Sequence, residues 1–256
     1  MQESPIELHQ FSHSHFNEKV RWTLDYKSVP HVRICYLPGP HVAFMRRMTG
    51  QNETPVLRID GLTVNGSARI IDLVEQRYPT PSLYPAAAAA KSEALALQAR
   101  FDGELGPELR RAVFAASIHD AAWVVATFGS EKAKWKQSLY QTAFPLIRLV
   151  MVKSMDITPE TGRRSKEIVD RVLDFIAERV AATGYLVGDS FTVADLTAAA
   201  LLAPVLLVDH PDMRQAEPRP RRYVELCAGW APHPAVQWAR EMYRRHRPPP
   251  CGVVIE

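Results

Sequence analysis

The sequence predicts an α/β unit built around a mixed sheet, followed by a unit made only of helices. Strand and helix patterns alternate over residues 6–78, whereas no convincing strand pattern appears after residue 90. The segment 79–90 separates the two parts with three prolines and a run of five alanines, a composition typical of a linker entering a new helix. We therefore expect one unit over residues 1–85 and a second over residues 91–256.

The first three elements follow from changes of hydrophobic period. Alternating residues at 6–9 predict a half-buried strand. From Phe16 to Leu24 an apolar residue recurs every fourth position with charged residues between, which predicts an amphipathic helix that ends near Pro30. Alternation returns over residues 32–36 and predicts a second strand.

The rest of the first unit is predicted as a short helix, a hairpin and a third helix. Residues 42–48 can form the short helix, after a Pro-Gly-Pro break. Residues 54–64 hold two apolar runs joined by Asp60-Gly61, a strong hairpin signal. Ser67 is placed as the N-cap of the helix that follows, which Pro79 stops. The order is βαβ, a short helix, then ββα, which makes one mixed, four-stranded sheet.

The second unit is predicted from helical patterns alone. These run over residues 92–118, 123–151, 168–180, from Thr192 onward, and 234–246, before a proline-rich tail. Thr192 and Asp195 have the spacing of a capping box, and the flanking Phe191 and Leu196 have that of a hydrophobic staple. We interpret this last motif as a folding device.

Composition excludes several classes of function. Apolar residues make up 46% and charged residues 23% of the chain, which is typical of a globular protein. The net charge of +3 is too small to indicate nucleic-acid binding, and the basic run at 219–222 lies among prolines. Three scattered cysteines without Cys-x-x-Cys fit reduced thiols in a cytoplasm. No signal peptide is visible, and the longest apolar run, 196–208, is too short to span a bilayer, so we expect no membrane partner.

Two serines mark the turn between the first strand and the first helix. The start of a helix favours negative charge, so Ser14 can donate a hydrogen bond to a bound thiolate there. The alternative is that Ser12 or Ser14 simply caps the helix, the commoner role of serine at this place. His13 and His15 flank Ser14, and without a second cluster of ligands we interpret them as surface histidines near a pocket, with no metal.

Two further motifs have both a structural and a binding interpretation. Thr54-Pro55 begins a predicted strand, where proline is tolerated; a cis bond there would turn the Thr54 backbone outward, toward an extended peptide. Ser67 can hold a carboxylate through its hydroxyl and the first N–H groups of its helix, or it can act as a plain N-cap.

In this order, these motifs resemble the cytosolic glutathione transferases. The resemblance covers residues 6–85 and returns at 186–201, where Leu-Val-Gly-Asp-Ser-Phe-Thr-Val-Ala-Asp-Leu is similar to the family's buried capping box. It implies a thioredoxin-like first domain that binds glutathione and a helical second domain that binds the electrophile. It also implies a cytoplasmic homodimer with a role in detoxification, with glutathione as co-substrate.

The resemblance also implies site residues. In the family's serine and cysteine classes the catalytic residue lies five positions before the basic residue of a Lys/Arg-Val-Arg run, and counting back from Lys19 gives Ser14. Aligned positions imply that glutathione contacts Phe16, His41, Thr54, Pro55 and Ser67. The electrophile would lie between the domains, against Arg110, Arg111, Phe114 and Ser117.

Three departures from the family pattern bear on activity. Gly66 stands where the family usually has Glu or Gln, His15 where proline follows the catalytic residue, and Asn17 where a glutaredoxin carries its second cysteine. Dithiol redox chemistry is therefore not expected, and Ser12 or His15 remain alternatives to Ser14. The implied function is a glutathione transferase acting on a hydrophobic electrophile. The alternatives are a non-catalytic binding or scaffold protein and a specialised glutathione-dependent isomerase, etherase or dehalogenase.

Overall fold

The computed structural model describes residues 5–255; residues 1–4 of the predicted first unit and residue 256 of the second lie outside the described range. The first unit contains, in order, β1 (Glu7–Gln10), α1 (His15–Tyr26), β2 (Val32–Cys35), α2 (His41–Thr49), β3 (Val56–Ile59), β4 (Leu62–Asn65) and α3 (Ser67–Arg77). The second contains α4 (Ala88–Gly103), α5 (Leu105–Ser117), α6 (Ala121–Phe128), α7 (Lys134–Ser154), α8 (Pro159–Val180), α9 (Val193–Leu206), α10 (Arg221–Trp230) and α11 (Pro234–His246).

The first unit has the predicted mixed sheet and thioredoxin-like arrangement. Strand β1 pairs in parallel with β2 and antiparallel with β3, which forms a hairpin with β4. At the hairpin turn Asp60 and Gly61 have φ angles of 47° and 76°, the left-handed pair that a two-residue turn between twisted strands requires. The predicted boundary near residue 85 falls between α3 and α4.

The prediction of four strands was wrong, because the C-terminal tail adds a fifth. Strand β5 (Val253–Ile255) pairs in parallel with β2, giving the order β4-β3-β1-β2-β5. Three residues after a proline-rich segment carry too weak a periodicity to be recognised. Residues 253–255 therefore belong to the sheet of the first unit, although the intervening helices belong to the second.

Helix α1 lies between the sheet and the helical unit, so both cores use it. Its Val20 and Leu24 pack with Leu8 and Leu57 of the sheet, whereas Trp22 belongs to the larger core of the second unit. Trp22 lies against Tyr243 of α11, with ring centroids 4.5 Å apart, and its indole N–H donates to the His246 carbonyl at 2.9 Å. A helix packed on both sides cannot keep a solvent-facing stripe.

The polar residues of α1 are accordingly buried, contrary to the amphipathic prediction. Glu18, Lys19, Arg21 and Asp25 are all no more than 3% exposed. Each is paired, since Lys19 binds Asp102 of α4 and the other three join a network of ion pairs. Buried charges are tolerated when they are paired and hydrogen-bonded.

Arg247, in the tail after α11, is the centre of that network. Its guanidinium donates to Glu18 Oε1 at 2.8 Å, to Asp25 Oδ2 at 2.8 Å and to Asp212 Oδ2 at 2.6 Å. Arg33 on β2 binds Asp25 and Asp212, and Arg21 binds Glu18 and lies 3.6 Å from Asp212. Three arginines thus balance three carboxylates, and the network joins α1, β2, the loop before α10 and the tail.

The predicted capping box begins α9. Asp195 accepts from the Thr192 N–H at 2.9 Å and from the Leu186 N–H at 2.8 Å, and the Thr192 hydroxyl accepts from the Ala194 N–H at 3.2 Å. The flanking staple residues Phe191 and Leu196 are both buried. The motif is therefore the folding device that the sequence indicates.

Among the described residues, no helix combines the length and the apolar character needed to cross a membrane.

Removing Arg247 tests the importance of the network for stability. Arg247→Ala leaves Glu18 and Asp25 buried without this donor, and breaking a buried ion pair from one side costs about 3–5 kcal/mol. We expect the free energy of unfolding in urea to fall by that amount. Arg244→Ala is the matched control, since Arg244 is exposed and pairs with Glu241, and should cost less than about 1 kcal/mol. Equal, small changes in both variants would contradict the assignment.

The same network predicts a specific acid sensitivity. Burial would raise the pKa of Glu18, but the Arg247 and Arg21 guanidiniums lower it from 4.5 to about 2. Because the pKa of Glu18 is depressed in the folded state, the ionised carboxylate stabilises the fold at pH values above its ordinary pKa. This stabilisation is lost as the pH falls from about 4.5 toward 2. We expect Glu18→Gln to flatten the pH dependence of the unfolding free energy in this window by up to about 1.4 kcal/mol per pH unit. Glu225→Gln, an exposed control, should keep the slope; an unchanged slope in Glu18→Gln would refute this interpretation.

Candidate active site

The turn between β1 and α1 places Ser14 at the N-cap of α1. Its backbone is extended, with φ −142° and ψ 127°, and its carbonyl accepts the first helical bond from the Glu18 N–H at 2.8 Å. Its hydroxyl, however, makes no capping hydrogen bond. Ser14 therefore occupies the N-cap position of α1, but its side chain makes no hydrogen bond to the helix.

Three buried polar atoms around this turn have no hydrogen-bond partner in the described part of the chain. They are Ser12 Oγ, His15 Nε2 and Asn17 Oδ1. Buried polar groups are nearly always satisfied, by protein, water or ligand. Water or a polar ligand would satisfy each of these three atoms, so this turn is a candidate ligand site.

The two histidines are not the surface residues that the sequence suggested. His15 is 5% exposed and His13 is half-buried. Burial lowers the pKa of His13 to about 4 and of His15 to about 3, and the positive charges of Arg21 and Arg110, respectively, add to this. Both imidazoles are therefore neutral at physiological pH and lack the positive charge that would attract a thiolate.

Thr54 lies next to the first turn of α1. The Thr54–Pro55 bond is cis, and the Thr54 hydroxyl accepts from the Asn17 side-chain amide at 3.3 Å. This amide also approaches the Phe11 carbonyl at 3.5 Å. Asn17 thus connects the serine-bearing turn to the start of β3, a role that the sequence did not reveal.

Ser67 is not the N-cap that the sequence predicted, because it is the first residue within α3. The cap is Gly66, whose φ of 86° is a conformation that side chains rarely adopt. The Glu or Gln of the family pattern would be strained at this position. Ser67 itself is buried, among the first N–H groups of α3, which have no acceptor within the helix.

His41 is the first residue of α2, and both of its ring nitrogens are engaged. Nδ1 accepts from the Gly39 N–H at 3.0 Å, so the proton lies on Nε2, which donates to the Asn52 carbonyl at 3.0 Å. The ring also makes an edge contact with Phe11, at 4.6 Å between centroids. The family resemblance implies that His41 meets the glycyl carboxylate of glutathione, but in this conformation the ring has no N–H left for that carboxylate.

A cavity of about 60 Å³ lies between the two units, beside the serine-bearing turn. Of the predicted electrophile-site residues, Arg110, Phe114 and Ser117 line it. Arg111 does not, because its guanidinium binds Glu108, Ser165 and the Met155 carbonyl. The lining also includes His13 and His15, which the sequence analysis placed near a pocket, and several residues that it missed: Val113, Trp123, Thr127, Phe128, Pro204, Met213, Gln215 and Tyr223.

One group among the described residues has metal-ligand types close together, namely Asp25, His31 and Cys251. Asp25 already accepts from Arg33 and Arg247, two cations that would repel a metal ion. Burial and the neighbouring Asp25 raise the pKa of the Cys251 thiol to about 12, so no thiolate is present at neutral pH. The group fits the ion network better than a metal site.

Comparisons with known proteins identify the family to which both units belong. A model described as "Glutathione S-transferase, N-terminal domain" matches residues 8–82, and one described as "Glutathione S-transferase, C-terminal domain" matches residues 159–230. No curated protein matches the chain.

Solved structures with the same fold cover nearly the whole chain. A glutathione S-transferase from Rhodospirillum rubrum F11 is 22% identical, with 94% of this chain and 88% of that chain covered and a TM-score of 0.64. One from Methylobacterium radiotolerans, in complex with glutathione sulfonate, is 18% identical, with 96% of both chains covered and a TM-score of 0.61. The β-etherase LigF from Sphingobium sp. strain SYK-6 is 16% identical, with 93% and 99% covered and a TM-score of 0.62.

A close contact between the units tests the placement of Phe16. A Cβ on Gly106 of α5 would overlap the Phe16 ring, so Gly106→Ala must push this ring away. We expect a cost of about 1–3 kcal/mol in the free energy of unfolding. Gly103→Ala is the control, since nothing lies within 4 Å of its added Cβ, and it should be neutral or stabilising. Similar thermal melts for the two variants would show that Phe16 does not pack against α5.

Proposed function

The chain belongs to the cytosolic glutathione S-transferase superfamily, and we propose that it activates the thiol of glutathione for attack on a hydrophobic electrophile. The observation that carries the proposal is Ser14, at the start of α1 with a hydroxyl that the helix does not use. In the proposed complex this hydroxyl donates a hydrogen bond to the glutathione sulfur, and the end of the helix adds its positive potential.

The energy required of this arrangement is modest. A thiol with a pKa near 9 must be lowered by about two units to be largely ionised at neutral pH, which corresponds to about 2.7 kcal/mol. A hydrogen bond to a charged acceptor contributes about 1.5–3 kcal/mol, and a helix terminus typically adds about 0.3–1 kcal/mol. The neutral histidines beside Ser14 are not needed as a counter-charge.

Glutathione itself would extend from Ser14 across the sheet edge. The backbone of Thr54, before Pro55, would pair with its cysteinyl residue, and Ser67 would hold the γ-glutamyl carboxylate together with the free N–H groups of α3. Phe16 would border the tripeptide near the domain interface. His41 is left out of this proposal, since its ring nitrogens are already bonded.

The electrophile would occupy the cavity between the units. Aromatic rings of Phe114, Trp123, Phe128 and Tyr223 line it, and its volume of about 60 Å³ is below the roughly 300 Å³ of a typical ligand site. We therefore propose a compact, planar electrophile. Arg110 at this cavity favours one that also carries a hydrogen-bond acceptor.

Other glutathione-dependent reactions, such as isomerisation, ether cleavage or dehalogenation, would use the same activated thiol and differ only in the electrophile. A non-catalytic binding or scaffold protein is the alternative, motivated by the absence of an acidic group at Gly66. We also propose that the protein acts in the cytoplasm as a homodimer, as the family resemblance implies.

Substitution of Ser14 tests the proposed catalysis. Ser14→Ala should lower turnover with a generic chlorinated aromatic at least about tenfold, because one charge-assisted bond to the thiolate is lost. The affinity for glutathione, measured by calorimetry, should stay nearly unchanged. Ser190→Ala is the control, since Ser190 is exposed in the loop before α9, and it should keep activity.

Two outcomes would contradict the proposal. Unchanged turnover in Ser14→Ala would remove Ser14 from catalysis and direct attention to Ser12 or His15. Absence of glutathione binding at millimolar concentration in the unaltered protein would rule out the enzyme altogether.

A further inference from the structure

Helix α7 lies between the two segments that match the family, and one of its faces is apolar and exposed. Its inner face packs on the protein through Tyr140 and Phe144, which are at most 4% exposed. On its outer face five large apolar side chains are 62–70% exposed: Trp135, Leu139, Leu146, Leu149 and Val150. We call these five residues the α7 apolar strip.

The strip is continuous along the helix. The five residues are spaced so that their side chains lie on the same face of the helix. They span about 22 Å along the helix axis from Trp135 to Val150. Large contiguous apolar patches are uncommon on the surface of soluble monomers and mark interaction sites. We therefore expect another molecule to bind the α7 apolar strip and cover it.

The charges of α7 indicate what that occupant is. The helix carries Lys134, Lys136, Arg148 and Lys153 and contains no Asp or Glu. None of these four takes part in an ion pair among residues 5–255. Lys134 and Lys136 flank Trp135 at one end of the strip, and Lys153 follows Val150 at the other.

A second copy of the same helix is a poor occupant. Packing two strips across a two-fold axis would bring together the six lysines that border them, without a carboxylate on either helix, and like charges repel. A partner with regularly spaced negative charge and an apolar interior fits better. An exposed stripe of Trp, Leu and Val with lysines at its borders is the composition of helices that lie in a membrane interface.

We propose that α7 docks the protein on a membrane surface that contains anionic phospholipid. The apolar strip enters the boundary between headgroups and acyl chains, and Lys134, Lys136 and Lys153 lie at the level of the lipid phosphates. The sequence analysis expected no membrane partner because it considered only segments that could span the bilayer, and an interfacial helix does not span it. The inference is independent of the proposed catalysis.

The position of α7 would orient the candidate active site relative to the membrane. The Tyr140 hydroxyl donates to the Pro38 carbonyl at 2.8 Å, and Ile147 lies against Gly39, whose φ is 97°. These contacts join the inner face of α7 to the loop before α2. Docking would therefore hold this loop, beside His41, at a defined distance from the lipid surface.

Flotation with vesicles tests the proposal directly. The full-length protein should bind vesicles of phosphatidylcholine with roughly one-third phosphatidylglycerol at least about tenfold more tightly than phosphatidylcholine alone, and salt should weaken this binding. Leu139→Ser combined with Leu146→Ser should reduce binding at least about tenfold. Val224→Ser is the matched control, since Val224 is also exposed, at 45%, but lies on α10, and it should bind like the unaltered protein.

Tryptophan fluorescence gives a test that needs no loss-of-binding variant. Trp135 is 66% exposed, whereas the four other tryptophans, Trp22, Trp123, Trp230 and Trp238, are at most 8% exposed. Acyl chains carrying bromine should quench emission of the unaltered protein, and Trp135→Phe should remove this quenching while the protein still floats with the vesicles.

Three outcomes would overturn the proposal. The first is equal binding, or none, with neutral and anionic vesicles. The second is unchanged flotation of the double leucine variant. The third is that this variant loses self-association in ultracentrifugation, or contact with an acidic protein, while binding to vesicles is unaffected.

Discussion

The structure depends on the buried ion pairs that Arg247 makes with Glu18, Asp25 and Asp212. A helix with many charged residues can lie between a sheet and a helical unit only if every charge finds a partner there. The partners come from β2, from the loop before α10 and from the tail, and thus from both units. Removal of any one of these segments would leave the others with unpaired buried charge. The network therefore joins the two units through α1 and fixes where this helix begins.

The start of α1 is where the candidate chemistry lies. Contacts along the buried side of α1 fix the position of this helix, and Ser14 lies at its start. The Ser14 hydroxyl therefore remains available to a ligand without any special loop. Asn17, one turn further, connects this helix to Thr54, and the cavity lies on the other side of the same turn. The proposed activation of a thiol thus requires no unusual residue. It needs only a rigid helix terminus and one hydroxyl that makes no hydrogen bond to the helix.

Local signals predicted much of this fold, and long-range pairings account for what was missed. The Asp60-Gly61 turn and the Thr192–Asp195 box are encoded by neighbouring residues, and both are present. Strand β5 and Arg247, which binds Glu18 and Asp25, come from the far end of the chain, and no periodicity reveals such pairings. For the same reason His15 was expected on the surface but is buried, and of the aromatic residues that line the cavity only Phe114 was predicted, whereas Trp123, Phe128 and Tyr223 were missed.

The most direct test of the central claim is the ionisation of glutathione in the complex. The ultraviolet absorbance of the thiolate, followed against pH with the protein in excess, gives the pKa of the bound thiol. If Ser14 and the start of α1 stabilise the thiolate as proposed, this pKa lies about two units below that of free glutathione. A bound thiol that titrates like the free one would contradict the account, whatever the protein's affinity for glutathione.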